Sequence, residues 1–447
     1  MPSAVRSLLF LAASFLAASA VPHDSHDHDH AANRALPSRW YHDEDHPVHA
    51  LFRRGNTDGI TYPAIGSNAP LPPEWAAGFP DKVDPTKLPQ VWVDAYTKAK
   101  NAGKIPANVP VSTQANGGNP TYGNLNPTGA VVCSTTYKCR NNSTDVIWDA
   151  PDGVFASSFD DGPLPTSQPL YDFLNENNVI STHFFIGTNI LYNPNEFAYC
   201  WNTLGGDLAV HTWTHPYMTT LSDLSVLGEL AWTMQIIHNS TGGRLPKYWR
   251  PPYGDADNRV VAIAKEVLGL TTVIWNQDTE DWSIGEAGGA TRAGVNQNLQ
   301  KWITGPKSPG LVILEHELSN DTVGAFIQAF PLIAQNGWKF DSVARMDGGA
   351  VYQNSADANS SLTIGSVGVP VSAPPSSSSV GSSSSSSSQS SSSAGNNAAK
   401  TTSAQSAQAT GANASTTHNG AVARFLSPVL AGAATFFSVV GTVFVLP

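Results

Sequence analysis

Charge is scarce in this chain. Asp, Glu, Lys and Arg make up 13% of its 447 residues, and the net charge is −11. No run of Lys and Arg is long enough to follow a phosphate backbone, so nucleic acid is not an expected partner. A neutral polymer suits this surface better than an acidic one. Cysteine is scarcer still, with only Cys133, Cys139 and Cys200. An odd count leaves one thiol free or paired between molecules, and the sequence does not choose the pair. A three-cysteine zinc site lacks a fourth ligand at suitable spacing.

Both ends read as non-globular. Arg6, the apolar run Leu8 to Leu16 and the small residues Ala18-Ser19-Ala20 read as a secretory signal cut after Ala20. The run is too short for a spanning helix. At the other end, residues 425–447 are almost wholly apolar and follow a polar spacer. This pattern suits a glycosylphosphatidylinositol (GPI) signal, with attachment at Asn413 or, with a very short spacer, at Asn419. A true anchor helix is the competing reading. The signals place the protein outside the cell, held to the plasma membrane by lipid and facing a wall.

Residues 21–54 carry His23, His26, His28, His30, His42, His46 and His49 among acidic residues, and end in Arg53-Arg54. The dibasic pair suggests a propeptide. The histidines read as a solvated polar leader, with metal collection as the alternative. Residues 55–150 are rich in Pro, Gly and Asn and are expected to wrap a following domain. Residues 366–424 are dominated by Ser, Ala and Thr, which cannot bury a core and suit an O-glycosylated stalk. Sequons at Asn141, Asn142, Asn239, Asn320 and Asn359 mark candidate N-glycans.

Between these lies a regular alternation over 151–350. Apolar strands are expected at 154–159, 179–186, 208–211, 247–250, 272–275, 311–314 and 338–343, with amphipathic helices between most of them. About seven strands in this α/β order predict a parallel, distorted or incomplete (β/α) barrel, because a full eight-unit barrel needs one more.

Polar residues collect just after these strands: Asp160 and Asp161, His211 and His215, Arg250, Asp278 and Asp281, and Glu315-His316-Glu317. In such folds the strand C-terminal ends converge on one face. His211 and His215 are four residues apart, but Thr212 stands where a zinc protease would need Glu. A carboxylate from another strand must complete the site, and Asp161 is best placed. Two His and one Asp leave a position open for water; zinc suits them, and cobalt could substitute. Asp160 is the candidate base, held ionised by Arg250, and His316 the candidate acid, oriented by Asp281.

Ser158 to Pro163, His211 to His215, Arg250 to Gly254, Asp278 to Trp282 and Leu314 to His316 resemble, in order, the five motifs of the NodB-type polysaccharide deacetylases (carbohydrate esterase family 4). The resemblance covers roughly residues 150–345. It implies one divalent metal on Asp161, His211 and His215, Asp160 as base and His316 as acid. It also implies the Tyr253 amide as oxyanion donor, and Trp282 and Leu314 as walls of an acetyl pocket. Ser158 stands where Thr is commoner. Glu317 follows the acid where Asp is frequent, which leaves the role of that position open. With the terminal signals, the resemblance implies chitin or chitin oligomers in a fungal wall as substrate; the protein is expected to be a monomer.

Three other readings compete. A glycosidase using Asp278 and Asp281 would generate reducing ends without metal. A deacetylase could act on another acetylated polysaccharide. A non-catalytic wall glycoprotein would have lost a ligand or the base, and none is lost.

Overall fold

The computed structural model describes residues 41–42, 46–52, 78–115, 118–140 and 145–361. The signal segment, the Ser-rich stretch with Asn413 and Asn419, the apolar tail, Arg53-Arg54, and the sequons at Asn141 and Asn142 lie outside these.

In chain order the elements are α1 (Val48–Leu51), α2 (Gln90–Asn101), β1 (Val146–Ile147), β2 (Val154–Asp160), α3 (Gln168–Glu176), β3 (Thr182–Phe185), α4 (Gly187–Tyr192), α5 (Pro194–Tyr199) and β4 (Asp207–Val210). Then come α6 (Asp223–Ser240), β5 (Tyr248–Trp249), α7 (Asn258–Leu268), β6 (Thr271–Val273), β7 (Gln277–Asp278), α8 (Arg292–Ile303), β8 (Leu311–Leu314), α9 (Asn320–Gln335) and β9 (Lys339–Ser342). Several of the longer helices start where a side chain satisfies a free backbone N–H group. Asp257 accepts from Val260 N at α7, Thr291 from Gly294 N at α8, and Ser319 from Thr322 N at α9. Gly269, at φ +68°, ends α7 in the left-handed conformation that glycine adopts most cheaply.

All strand pairs are parallel, in the order β1-β6-β5-β4-β3-β2-β8-β7, with β9 also on β2. The sheet is an open half-barrel with helices outside. Nine strands stand where about seven are expected from the pattern. The two additions, β1 and β7, are two residues long, too short for a periodicity to register. β1 also belongs to the stretch read as wrapping, so the sheet begins before residue 151. Asn276 staples the opening, donating to Asp149 Oδ1 (2.9 Å) and the Gly310 carbonyl (2.7 Å). β2 is buried at every position and lies at the centre, as a strand covered on both faces must.

The core is continuous and reaches outside the 151–350 span. Val48, Leu51 and Phe52 are buried in it, and the Phe52 ring lies 6.0 Å from that of Trp92 in α2. His42 and His46 stack at 4.3 Å, and their Nε2–H groups donate to the carbonyls of Gly269 and Lys265 at the end of α7. So the part of the leader that is described is built into the domain, and these two histidines cap a helix. Past residue 350, Tyr352 is fully buried and its hydroxyl accepts from Leu208 N. Cys133 and Cys139 form the disulfide, and Cys200 is a buried free thiol.

Candidate active site

Each site residue leaves the C-terminal end of a strand. β2 ends on Asp160, β4 gives way to His211, β5 to Arg250, and β8 to Glu315-His316-Glu317. Asp161 (φ +72°), Thr212 (+67°), His215 (+61°), Tyr253 (+58°) and Glu280 (+55°) hold left-handed backbone in these loops. Such conformations cost roughly 1–3 kcal/mol each and persist only where the surroundings impose them.

The imposition on the Asp160 turn is visible carbonyl by carbonyl. Glu317 N donates to Asp160 O (3.1 Å), and Ile186 N donates to Gly162 O (3.1 Å). Asn189 Nδ2 reaches Asp161 O (2.7 Å), and Asn193 Nδ2 reaches Pro163 O (3.0 Å). A turn with every acceptor engaged has little freedom.

Asp161 Oδ1 lies 3.3 Å from His211 Nε2 and 3.3 Å from His215 Nε2. His211 Nδ1–H donates to the Arg250 carbonyl (2.8 Å), so in the neutral ring Nε2 presents its lone pair to Asp161. Burial, with a smaller push from His211, lowers the pKa of His215 to about 4, so that ring is neutral near pH 7. Burial works against ionisation of Asp161, but its contact with His211 and the field of His316 win and hold it below the usual range. Asp161 Oδ1 is buried without a hydrogen-bond partner. One carboxylate oxygen and two imidazole Nε2 atoms thus converge on one point. The donor set fits a divalent cation, and among the described residues it is the one such cluster.

Beside it, Arg250 Nη1 donates to Asp160 Oδ1 (2.7 Å) and Nη2 to Ser158 Oγ (3.0 Å), all buried. Asp160 Oδ2 stands 3.8 Å from His211 Nε2. Asp160 and His316 form an isolated parallel bridge, which sets candidate base and acid side by side. Asp281 accepts from His316 twice, from the ring Nδ1–H (2.6 Å) and from the backbone N–H (2.9 Å). Burial disfavours charge on His316, but Asp281, aided by Asp161 and Asp160, raises its pKa to about 10. Asp281 is therefore committed to His316. Asp278 accepts from Glu280 N in its own turn, so the pair a glycosidase would need is not free.

Tyr253 is half-exposed, and its ring stacks on Tyr217 at 4.0 Å. Its loop is braced by the disulfide-closed segment 133–139, where Thr135 Oγ1 donates to Gly254 O (2.6 Å) and Thr136 Oγ1 to Asp255 Oδ1 (2.9 Å). Trp282 is exposed on the loop after β7, and Leu314 is buried at the end of β8. Of the sequons described, Asn320 and Asn359 are exposed, and Asn239 is half-buried on α6.

Sequence reasoning missed Glu229. Its Oε2 accepts from the backbone N–H of Trp213 (2.8 Å) and Thr214 (2.7 Å), and its Oε1 from Thr214 Oγ1 (2.7 Å). It therefore clamps the loop between the two histidines. The signal was a lone carboxylate in the buried α6 stripe that includes Val226, Leu230, Thr233 and Ile237.

Fold and site define a parallel α/β half-barrel with a candidate metal centre and an acid–base pair at the strand C-terminal face. The profile described as Polysaccharide deacetylase matches residues 149–273. The chain is 41% identical to Chitin deacetylase 3 of Cryptococcus neoformans var. neoformans, over 73% of this chain and 77% of that protein. It is 32% identical to the Chitin deacetylase of Amylomyces rouxii, over 62% and 72% respectively. The solved chitin deacetylase of Colletotrichum lindemuthianum aligns at 23% identity and a TM-score of 0.41, over 45% of this chain and 90% of that one. With that identity over that much of the Cryptococcus protein, the chain belongs to the polysaccharide deacetylase family.

Proposed function

We propose that this enzyme hydrolyses the N-acetyl groups of chitin, releasing acetate and leaving chitosan. The supporting observation is the placement of the Asp161, His211 and His215 lone pairs beside two prepared groups, Asp160 on Arg250 and His316 on Asp281. The names of the similar fungal proteins point to the same substrate.

Asp161, His211 and His215 would hold a divalent ion, zinc or in its place cobalt, which would supply a Lewis acid for the acetyl carbonyl and acidify water. Asp160 takes the proton of the attacking water. The Tyr253 N–H donates to the oxygen on which negative charge develops. His316, protonated through Asp281, gives its proton to the leaving amine nitrogen. Trp282 and Leu314 wall the methyl side. The proton taken at Asp160 and the one given at His316 balance the hydrolysis of one amide.

The protein works outside the cell as a monomer, tethered through a GPI lipid at Asn413 or Asn419 with the Ser-rich stalk as spacer. Incubation with defined chitin oligomers tests the activity. Acetate and free amine are expected in equal amounts, stopped by a chelator, and new reducing ends would instead indicate a glycosidase. Release of the protein from membranes by a phosphatidylinositol-specific phospholipase tests the tether.

A further inference from the structure

The proposed mechanism uses His316 and leaves its neighbour Glu317 without a task. Glu317 is fully buried, where a carboxylate is rarely found without a partner. While the His316 ring turns to Asp281, the Glu317 side chain goes to other elements. There it meets three things. Oε1 lies 2.5 Å from Nδ1 of His183, which sits on β3 opposite Phe159 of β2. Oε2 accepts from the hydroxyl of Tyr171 on α3 (2.6 Å). The carboxylate also lies against Gly162, where an added Cβ would fall 2.3 Å from Oε2.

Its backbone is engaged as well. Glu317 N donates to Asp160 O (3.1 Å), and Glu317 O accepts from Thr166 Oγ1 (2.8 Å). One residue therefore touches both ends of the turn that carries the candidate base and the candidate metal carboxylate.

Energy alone does not account for this choice. A buried imidazole–carboxylate pair must overcome several kcal/mol of desolvation, and apolar replacements of similar volume are often as stable or more so. What an apolar pair cannot do is fix a direction. Two anchored oxygens hold the carboxylate, and so the contact with Gly162, in one place.

We propose that Glu317 is a positioning residue for the reaction. Anchored by His183 and Tyr171, it wedges the Asp160-Asp161-Gly162 turn from below, setting Asp160 against water and Asp161 against the metal. The inference rests on the roles given above to Asp160 and Asp161.

The test compares the full chain with Glu317→Gln and with the double replacement His183→Phe/Glu317→Leu. The readouts are melting temperature, Zn²⁺ titration of chelator-stripped protein, hydrogen exchange of residues 158–163, and kcat and KM on a chitin oligomer. Glu317→Gln is expected to weaken Zn²⁺ binding and lower kcat by about 10–100-fold each, the range for losing an outer-shell support, with KM little changed. Exchange in 158–163 is expected to rise. The double replacement is expected to melt near the wild-type temperature while Zn²⁺ affinity and kcat stay low. Wild-type Zn²⁺ affinity, kcat and exchange in either folded variant would overturn the proposal and leave Glu317 a packing residue. If the unmodified chain releases no acetate, the functional reading fails instead. The exchange comparison then still decides whether Glu317 holds the turn.

Discussion

Arg250 Nη1 lies 2.7 Å from Asp160 Oδ1, and both side chains are buried. The guanidinium also reaches Ser158 through its second nitrogen. A lysine is a point charge without the planar fork whose two nitrogens reach these two oxygens separately. Arg250→Lys is therefore expected to lower kcat at least about a hundredfold. Arg250→Ala leaves Asp160 as an unanswered buried charge and should cost roughly 3–5 kcal/mol of stability. Steady-state acetate release and denaturant titration separate the two effects.

Asp281 raises the pKa of His316, and the acid must be protonated to act. Activity governed by His316 is thus present below its pKa and lost as pH rises through it. Asp281→Asn removes the main raising charge. The basic limb of the kcat/KM profile should move to lower pH, and kcat should fall by about 10²–10⁴-fold. An unmoved basic limb would mean that another group donates the proton.

Removing His215 takes away one of three metal ligands. His215→Ala should lower Zn²⁺ affinity by more than the roughly 10–100-fold typical of outer-shell losses. Because the pKa of His215 is about 4, protons should begin to compete with metal at this ring only as pH falls toward that value. Calorimetric titration of stripped protein at several pH values measures both.

Asp257 caps α7 and has its pKa pushed up to about 6, by burial first and Asp255 besides, against the pull of Arg259 and the Val260 amide. The folded state holds this proton more tightly than the unfolded chain. The linked stability is complete below about 3.8 and is lost as pH rises through about 6, amounting to about 3 kcal/mol at most. Asp257→Asn keeps a capping oxygen and does not titrate. Its melting temperature should gain on the wild type between pH 4 and pH 7.

Much of the site was legible because strand ends are legible. The apolar run 154–159 ends in Asp160-Asp161 and the run 311–314 ends before His316, so each chemical group announces its place on one face. Periodicity could not reveal β1 and β7, which have no length to be periodic. Nor could it reveal Glu229 or the anchoring of Glu317. Each acts through partners on other elements, and nothing local marks which buried carboxylate faces which backbone. Cys133 and Cys139 were indistinguishable from Cys200 until the chain was folded. The leader's composition reads as solvated, yet the apolar Val48, Leu51 and Phe52 between its charges decide where it goes.

That segment has a consequence for the order of assembly. Residues 46–52 leave the ribosome before any strand of the sheet exists. Phe52 packs beside His238 and Trp92, and His46 caps a helix that ends at residue 268. An early part of the chain is thus buried against helices made well after it, across a loop of up to about two hundred residues. While the chain is whole, that closure is intramolecular and its entropic cost grows only slowly with length. A cut at Arg53-Arg54 would change this. The nicked molecule would keep the peptide as long as it stayed folded. Once unfolded, it could recover the peptide only by a bimolecular encounter, so a single nick would make refolding depend on the concentration of both pieces.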